Sequence, residues 1–252
     1  MIYCTIIATY NNQSTLADVI ERTLAATGEN HVIVVNDGCT DGTADILERY
    51  RDNSRVSVVS YSKNHGKGYA LCEGFAKAKR LGYEYAVTLD SDGQHFPEDI
   101  EKLTATAEKE IVAGEKRFIV VGRRNLSADG MPLGNRFANR FGNFWFHVQT
   151  WQPLKDTQTG FRFYTLSCLP ARGLITNRYE AELELLVFSA WHGVRLCDVP
   201  VRVYYAPQGE RVSHFRPFAD FMRIFVLNTI LFLGALVYGY PSMVLRKLES
   251  KS

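Results

Sequence analysis

The chain has 252 residues, 46% of them hydrophobic and 22% charged, with a formal net charge of +2. A chain this long and this apolar can bury a large core, which excludes intrinsic disorder and fits one large α/β domain or one domain with an appendage. Lys and Arg are spread along it, which excludes a dedicated nucleic-acid binder, although residues 202–252 carry seven of them against three Asp and Glu.

Ile2 to Ala8 reads as a buried strand with no basic leader ahead of it, so no secretory signal is expected. The polar turn Thr9-Tyr10-Asn11-Asn12 leads to a helix with Thr15 and Asp18 at capping-box-like spacing and Leu16, Val19, Ile20 and Leu24 at helical spacing, ended by Gly28. His31 to Val35 is a second strand, followed by Asn36-Asp37-Gly38 and a short helix from about Thr43 to Tyr50. A third strand, Val56 to Ser60, precedes the loop Lys63-Asn64-His65-Gly66-Lys67-Gly68 and a helix through Lys79. The fourth strand, Tyr85 to Leu89, runs into the acidic turn Asp90-Ser91-Asp92-Gly93-Gln94-His95, and Pro97-Glu98-Asp99 opens the next helix. A fifth strand, Phe118 to Val121, ends at Gly122-Arg123-Arg124. The five cysteines, Cys4, Cys39, Cys72, Cys168 and Cys197, form no CxxC or Cys/His pairing, so free thiols in a reducing compartment are expected.

Strands alternating with helices imply a mostly parallel, doubly wound sheet, which binds ligands along the carboxyl edge of its strands. Thr9, Tyr10, Asn11, Asp37, Asn64, Lys67, Asp90, Asp92 and Arg123 all fall at or just after a strand and collect on that edge. Taken singly, Asn11, Asp37 and Asn64 also suit helix caps or loop filler; together they outline a nucleotide-phosphate site. Two carboxylates one residue apart on a glycine-closed turn suit Mg²⁺ or Mn²⁺, with substrate phosphate oxygens completing the shell. Alone, Asp-Ser-Asp-Gly equally suits a solvated turn. An EF-hand is excluded because His95 stands where its loop needs Gly, and Gly66-Lys67-Gly68-Tyr69-Ala70-Leu71 lacks the third Gly of a dinucleotide loop.

Val34 to Thr43 resembles the VDDGSTDGT segment of family 2 glycosyltransferases, inverting enzymes of the GT-A nucleotide-diphospho-sugar transferase fold. Asn64 to Ala70 resembles their NxGKGxA segment, and Asp90 to His95 with Pro97 to Asp99 resembles DADGQHxPED, in the same order and spacing. The branch that contains dolichol-phosphate mannose synthases and bacterial polyprenyl-phosphate hexosyltransferases is the most similar. Asp156 to Arg162, Arg178 to Leu183 and Ser213 to Pro217 add to that likeness, which covers about residues 2–223. Ala8, Asn36 and Cys39 depart from the family's Pro, Asp and Ser.

The resemblance implies that Asp37 holds the base or ribose of a UDP- or GDP-linked sugar, and that Asp90, Asp92 and Gln94 hold the metal on its diphosphate. Lys67 and Arg123 are candidate phosphate neighbours or, failing that, surface cations. Arg162 and the cluster Arg211, Ser213, His214 and Arg216 are candidates for gripping the donor diphosphate or an acceptor phosphate, the cluster alternatively resting on anionic lipid. A hydroxyl acceptor needs a base, for which Asp156 is the first candidate and Glu182 the second; a phosphate acceptor needs mainly orientation. Of Glu180, Glu182 and Glu184, at least one is expected to face solvent, and His147, Trp191 and His192 are expected to pack or cap. Residues 1–220 are expected to form the transferase domain. Residues 221–252 form an apolar appendage, in which Ile224 to Leu245 carries no charge and is long enough to span a bilayer or lie in one leaflet. Gly234, Gly239 and Pro241 weaken a straight helix there, and the aromatic-rich Asn135 to Trp151 offers a second lipid-facing surface. The expected function is hexose transfer to a membrane-borne acceptor, polyprenyl phosphate first, at the cytoplasmic face of the membrane. The alternatives are a glycan or glycolipid hydroxyl as acceptor, an inert nucleotide-sugar-binding scaffold, and a homo-oligomer that covers the apolar surfaces.

Overall fold

The computed structural model describes residues 1–125, 133–169, 174–205 and 217–249. The five apolar runs form β1 (Cys4–Thr9), β2 (His31–Asp37), β3 (Val56–Tyr61), β4 (Tyr85–Asp90) and β5 (Phe118–Arg123), interleaved with α1 (Leu16–Ala26), α2 (Thr43–Glu48), α3 (Lys67–Arg80) and α4 (Ile100–Val112). After α5 (Leu133–Thr150) come β6 (Arg162–Thr165), α6 (Glu180–Trp191) and β7 (Arg195–Pro200). Together they make one seven-stranded sheet in the order β3-β2-β1-β4-β6-β5-β7.

The sheet is mixed rather than wholly parallel, because β6 pairs antiparallel with both β4 and β5. This reversal matters for the site. A strand running backwards begins where its parallel neighbours end, so the segment leading into β6, from Asp156 to Gly160, arrives at the carboxyl edge. Thr88 of β4 fastens it there, its hydroxyl donating to the Gly160 carbonyl at 2.6 Å.

Side chains alternate across the sheet with period two, and both faces are covered. Ile6, Ile33, Val35, Ile119, Val121 and Tyr164 face a core shared with α3, α5 and α6. Ile7, Val32, Val34, Val120 and Phe163 face a second core shared with α1 and α4. Burying each such side chain contributes about 1.5–3 kcal/mol. The capping-box expectation for α1 does not hold: Thr15 makes no side-chain cap and instead donates to the carbonyls of Ser91 (2.6 Å) and Asn12.

The C-terminal region is α7 (Pro217–Gly234) and α8 (Tyr240–Glu249), joined through a π-helical turn at Ala235–Gly239. Met222–Glu249 is thus one 28-residue apolar helix, long and apolar enough by composition to cross a membrane. The helix-weakening residues do not break it. The π turn opens around Trp191, the last residue of α6, which lies so close that a Cβ at Gly239 would come within 2.5 Å of its Nε1. Trp191 Nε1 donates to the Gln149 carbonyl (2.8 Å), Gln149 Nε2 to Asn228 (3.1 Å), and Arg246 to the His192 carbonyl (2.8 Å). His192 in turn bonds the Phe188 carbonyl, capping α6 as expected. One face of the long helix is therefore tied along α5 and α6, while Phe225, Ile230, Leu233, Leu236 and Val237 stay exposed on the other.

Candidate active site

Asp90 is the last residue of β4, and the turn after it is fixed from two sides. Asp92 Oδ1 accepts the Gln94 N–H at 3.0 Å, which closes the turn on itself. Asn12 donates to the Ser91 hydroxyl at 2.8 Å, and with Thr15 it clamps the turn to the loop after β1. The Gln94 carbonyl accepts the Tyr204 N–H at 2.8 Å. His95 is buried against the Phe161 ring, and burial pushes its imidazole down to about 4, so it is neutral at physiological pH.

Lys67, the first residue of α3, reaches across to this turn. Its Nζ lies 2.7 Å from Asp90 Oδ1 and 2.9 Å from Glu182 Oε2 in the first turn of α6. Burial alone would push the ammonium down, but the two carboxylates outweigh it and hold Lys67 well above its ordinary range. Burial likewise works against ionised Asp90, yet Lys67 and its neighbours keep that carboxyl below the usual carboxylate range. Asp92 differs: burial, and then repulsion from Asp90, push it up to about 6.

Asp37 organises the loop ahead of α3. Its oxygens accept the Asn64 side chain (2.7 Å) and the N–H groups of His65 and Gly66 (2.8 Å each). Gly66 has φ +102°, a conformation that side-chain-bearing residues rarely adopt, and it places Lys67 at the helix start. Burial raises the Asp37 carboxyl despite these donors. Beside it, Asn11 (φ +52°) bonds Thr40 through both its amide nitrogen (3.2 Å) and its oxygen (2.8 Å), and its backbone N–H meets Cys39 Sγ, which in turn faces the Thr9 carbonyl.

The sheet edge beyond β4 is cationic. Arg123, Arg124, Asn125, Lys155, Pro200 and Val201 line a pocket of about 440 Å³. Arg123 pairs with Asp198 of β7 at 3.1 Å. Arg124 grips Asp156 with Nε (2.7 Å), its second guanidinium nitrogen (3.0 Å) and its own backbone N–H (3.1 Å). Asn139 (2.6 Å) and the Gln158 N–H (3.2 Å) complete five donors on the fully buried Asp156 carboxylate. Burial would raise Asp156, but Arg124 overrides it and holds it below the ordinary range.

The structure therefore brings Asp37, Asn64, Lys67, Asp90, Asp92, Gln94, Glu182 and Arg123 to one edge. It places Arg162 elsewhere in role: fully buried, it donates to the carbonyls of Glu182 and Thr157 at 2.9 Å each, which orients it into the fold. All three glutamates at the start of α6 are buried, contrary to the expectation that one faces solvent, because α6 is packed between the sheet and the C-terminal helix. Arg211, Ser213, His214 and Arg216 lie outside the described residues. Arg124 and Asp198 were not read from sequence; Arg124 was signalled only by adjoining Arg123, and a partner across strands leaves no local trace.

Among the described residues no group of three or more His, Cys, Asp or Glu side chains is arranged to hold a metal by itself. Asp90 and Asp92 offer two hard carboxylates, which fits a cation whose remaining ligands come from water and a diphosphate. Gly160 packs directly against this pair, since a Cβ there would stand 2.7 Å from both Asp90 oxygens and from Lys67 Nζ.

Residues 4–163 match the family described as Glycosyl transferase family 2. The chain is similar to the UDP-N-acetylglucosamine--dolichyl-phosphate N-acetylglucosaminyltransferase of Methanococcus voltae, with 28% identity over 79% of this chain and 84% of that protein. It is equally similar to the undecaprenyl-phosphate mannosyltransferase of Micrococcus luteus, 28% identical over 82% of this chain and 85% of that one. In fold it resembles glucosyl-3-phosphoglycerate synthase from Mycobacterium tuberculosis, solved with Mn²⁺, UDP and phosphoglyceric acid. The TM-score is 0.66 at 18% identity, covering 93% of this chain and 78% of that one.

Proposed function

The chain belongs to glycosyl transferase family 2 and is a glycosyltransferase, and from that premise we propose that it moves a hexose from a nucleotide-sugar to a polyprenyl phosphate with inversion. The observation that carries the choice of acceptor is the saturation of Asp156. A carboxylate with five donors, held ionised by Arg124, is a poor proton acceptor, and a hydroxyl acceptor needs one. A phosphate acceptor is already an anion and needs orientation, which the Arg123, Arg124 and Lys155 pocket can provide. One of its oxygens attacks the anomeric carbon while the bond to the nucleoside diphosphate breaks, the electron pair leaving with the diphosphate.

Asp90, Asp92 and Gln94 are the residues we assign to a divalent cation, Mg²⁺ or Mn²⁺, which neutralises charge on the departing diphosphate when bound. Asp37 holds the loop that presents Lys67, with Thr9, Tyr10, Asn11 and Asn64 around the nucleoside. Glu182 favours a second reading, hydroxyl transfer with Glu182 as base, because its Oε1 is buried without a hydrogen-bond partner among the described residues.

Residues 221–252 are assigned to membrane attachment. Their helix is tied to α5 and α6 near both ends, which favours lying in the cytoplasmic leaflet over standing across the bilayer. Phe137, Phe144 and Trp151 of the α5 region extend the exposed apolar surface. The test is transfer from radiolabelled UDP- and GDP-sugars, with Mg²⁺ or Mn²⁺, into membranes supplemented with undecaprenyl phosphate. Label in an acid-labile lipid supports the reading and names the donor. Donor consumption without such a lipid replaces the phosphate acceptor by a hydroxyl.

A further inference from the structure

Lys67 has two carboxylate seats, and only one of them is wanted by a cation. Its ammonium touches Asp90 Oδ1 at 2.7 Å and Glu182 Oε2 at 2.9 Å, while Glu182 Oε1 is buried with no partner among the described residues. Glu182 therefore has unused acceptor capacity, whereas Asp90 is spoken for. The backbone that carries Lys67 is fixed: the Tyr69 N–H donates to the Asn177 carbonyl at 3.2 Å, and a Cβ on Gly68 would stand 2.2 Å from the Ala181 Cβ. Only the flexible side chain is free to redistribute between its seats, with the Tyr179 ring 6.0 Å from Nζ.

We propose that Lys67 and a divalent cation exclude one another at Asp90, and that Glu182 is the seat that retains Lys67 when the cation binds. Glu182 is then a positioning residue that sets the metal affinity of the acidic turn. The inference rests on the assignment of Asp90 and Asp92 as metal ligands. Two positive centres on one carboxylate repel strongly at such short separations, so occupancy is competitive. A partner carboxylate that accepts the displaced ammonium lowers the cost of the exchange.

The test is Mn²⁺ binding to the full chain, followed by electron paramagnetic resonance in the absence of nucleotide-sugar. Lys67→Met should tighten Mn²⁺ binding and Glu182→Gln should weaken it, each by roughly tenfold, within the span usual for coupled sites. Glu182→Asp keeps the charge but withdraws the seat, and should weaken binding like Glu182→Gln. In the Lys67→Met background the effect of Glu182→Gln should shrink to less than about twofold, as expected when the two substitutions share one interaction. If Glu182→Asp binds Mn²⁺ as the unaltered protein does, or if the two substitutions act additively, Lys67 does not exchange seats and the proposal falls. Should Lys67→Met fail to fold, the Glu182→Asp comparison alone decides. Asp92→Asn separates the two levels. Mn²⁺ binding that survives in that variant removes the metal assignment and this inference with it; binding lost there but indifferent to position 182 removes the inference alone.

Discussion

Asp156→Asn tests whether the buried carboxylate holds the site together or does chemistry in it. The substitution keeps the volume but removes the charge that faces the Arg124 guanidinium, whose side chain is 14% exposed while that of Asp156 is 0% exposed. Removing one partner of a buried pair leaves the other uncompensated, at a cost of about 3–5 kcal/mol. In a chain of this size that lowers the thermal midpoint by roughly 6–20 °C. The acid side gives a second reading. Arg124 depresses the Asp156 pKa below its unfolded value near 3.9, so its contribution is fully present above that value and is lost as pH falls through the folded pKa. The melting temperature of the unaltered protein should therefore fall more steeply below about pH 4 than that of Asp156→Asn. Circular dichroism melts in detergent between pH 3 and 8, with transfer assays below the melting range, supply both measurements. A variant that melts like the unaltered protein yet has lost turnover would refute the structural role and restore Asp156 as a base.

Asp92→Asn should reduce turnover by more than about a hundredfold, the scale of losing one electrostatic contact to a leaving group, without lowering the melting temperature, since burial and Asp90 already disfavour the charged form; undiminished turnover removes Asp92 from the metal site. Gly160→Ala drives a methyl to 2.7 Å from Asp90 and Lys67, so donor binding measured by calorimetry should be lost while overpacking costs about 1–3 kcal/mol. Leu236→Glu combined with Val237→Glu places charge on the exposed face of the C-terminal helix and should move the protein from the membrane pellet to the soluble fraction without salt; continued sedimentation with membranes places the lipid contact elsewhere.

The strands and the acidic turn were legible because local periodicity and turn chemistry determine them. Val34 and Val35 on opposite faces of one strand, or Asp90 beside a glycine-closed turn, need no distant partner to be understood. What could not be read depends on neighbours far along the chain. The charge of Arg162 suggests a phosphate ligand, but its surroundings are carbonyls twenty residues downstream and five upstream, brought together only once β6 runs antiparallel. Thr15 has the spacing of a cap, yet the Ser91 carbonyl, 76 residues away, outcompetes the local amide. Glu180, Glu182 and Glu184 carry the charge of a solvated helix face. Their burial follows from packing against the sheet on one side and the C-terminal helix on the other, and Glu184 is satisfied there by the N–H groups of Ile175 and Thr176 at 2.6 and 2.9 Å.

Helix α6 joins two things that loops would have left loosely related. Glu182, which touches Lys67, is in its first turn, and Trp191, wedged into the π turn of the apolar helix, is its last residue. Nine helical steps separate them, a rise of about 13–14 Å that cannot stretch without breaking backbone hydrogen bonds. The stand-off between the ionic cluster and the exposed apolar face of the C-terminal helix is thus set like the height of a fixed shelf. Under the proposed function, a headgroup whose tail lies against that face has a constant distance to climb to the reacting edge, whatever the rest of its tail looks like.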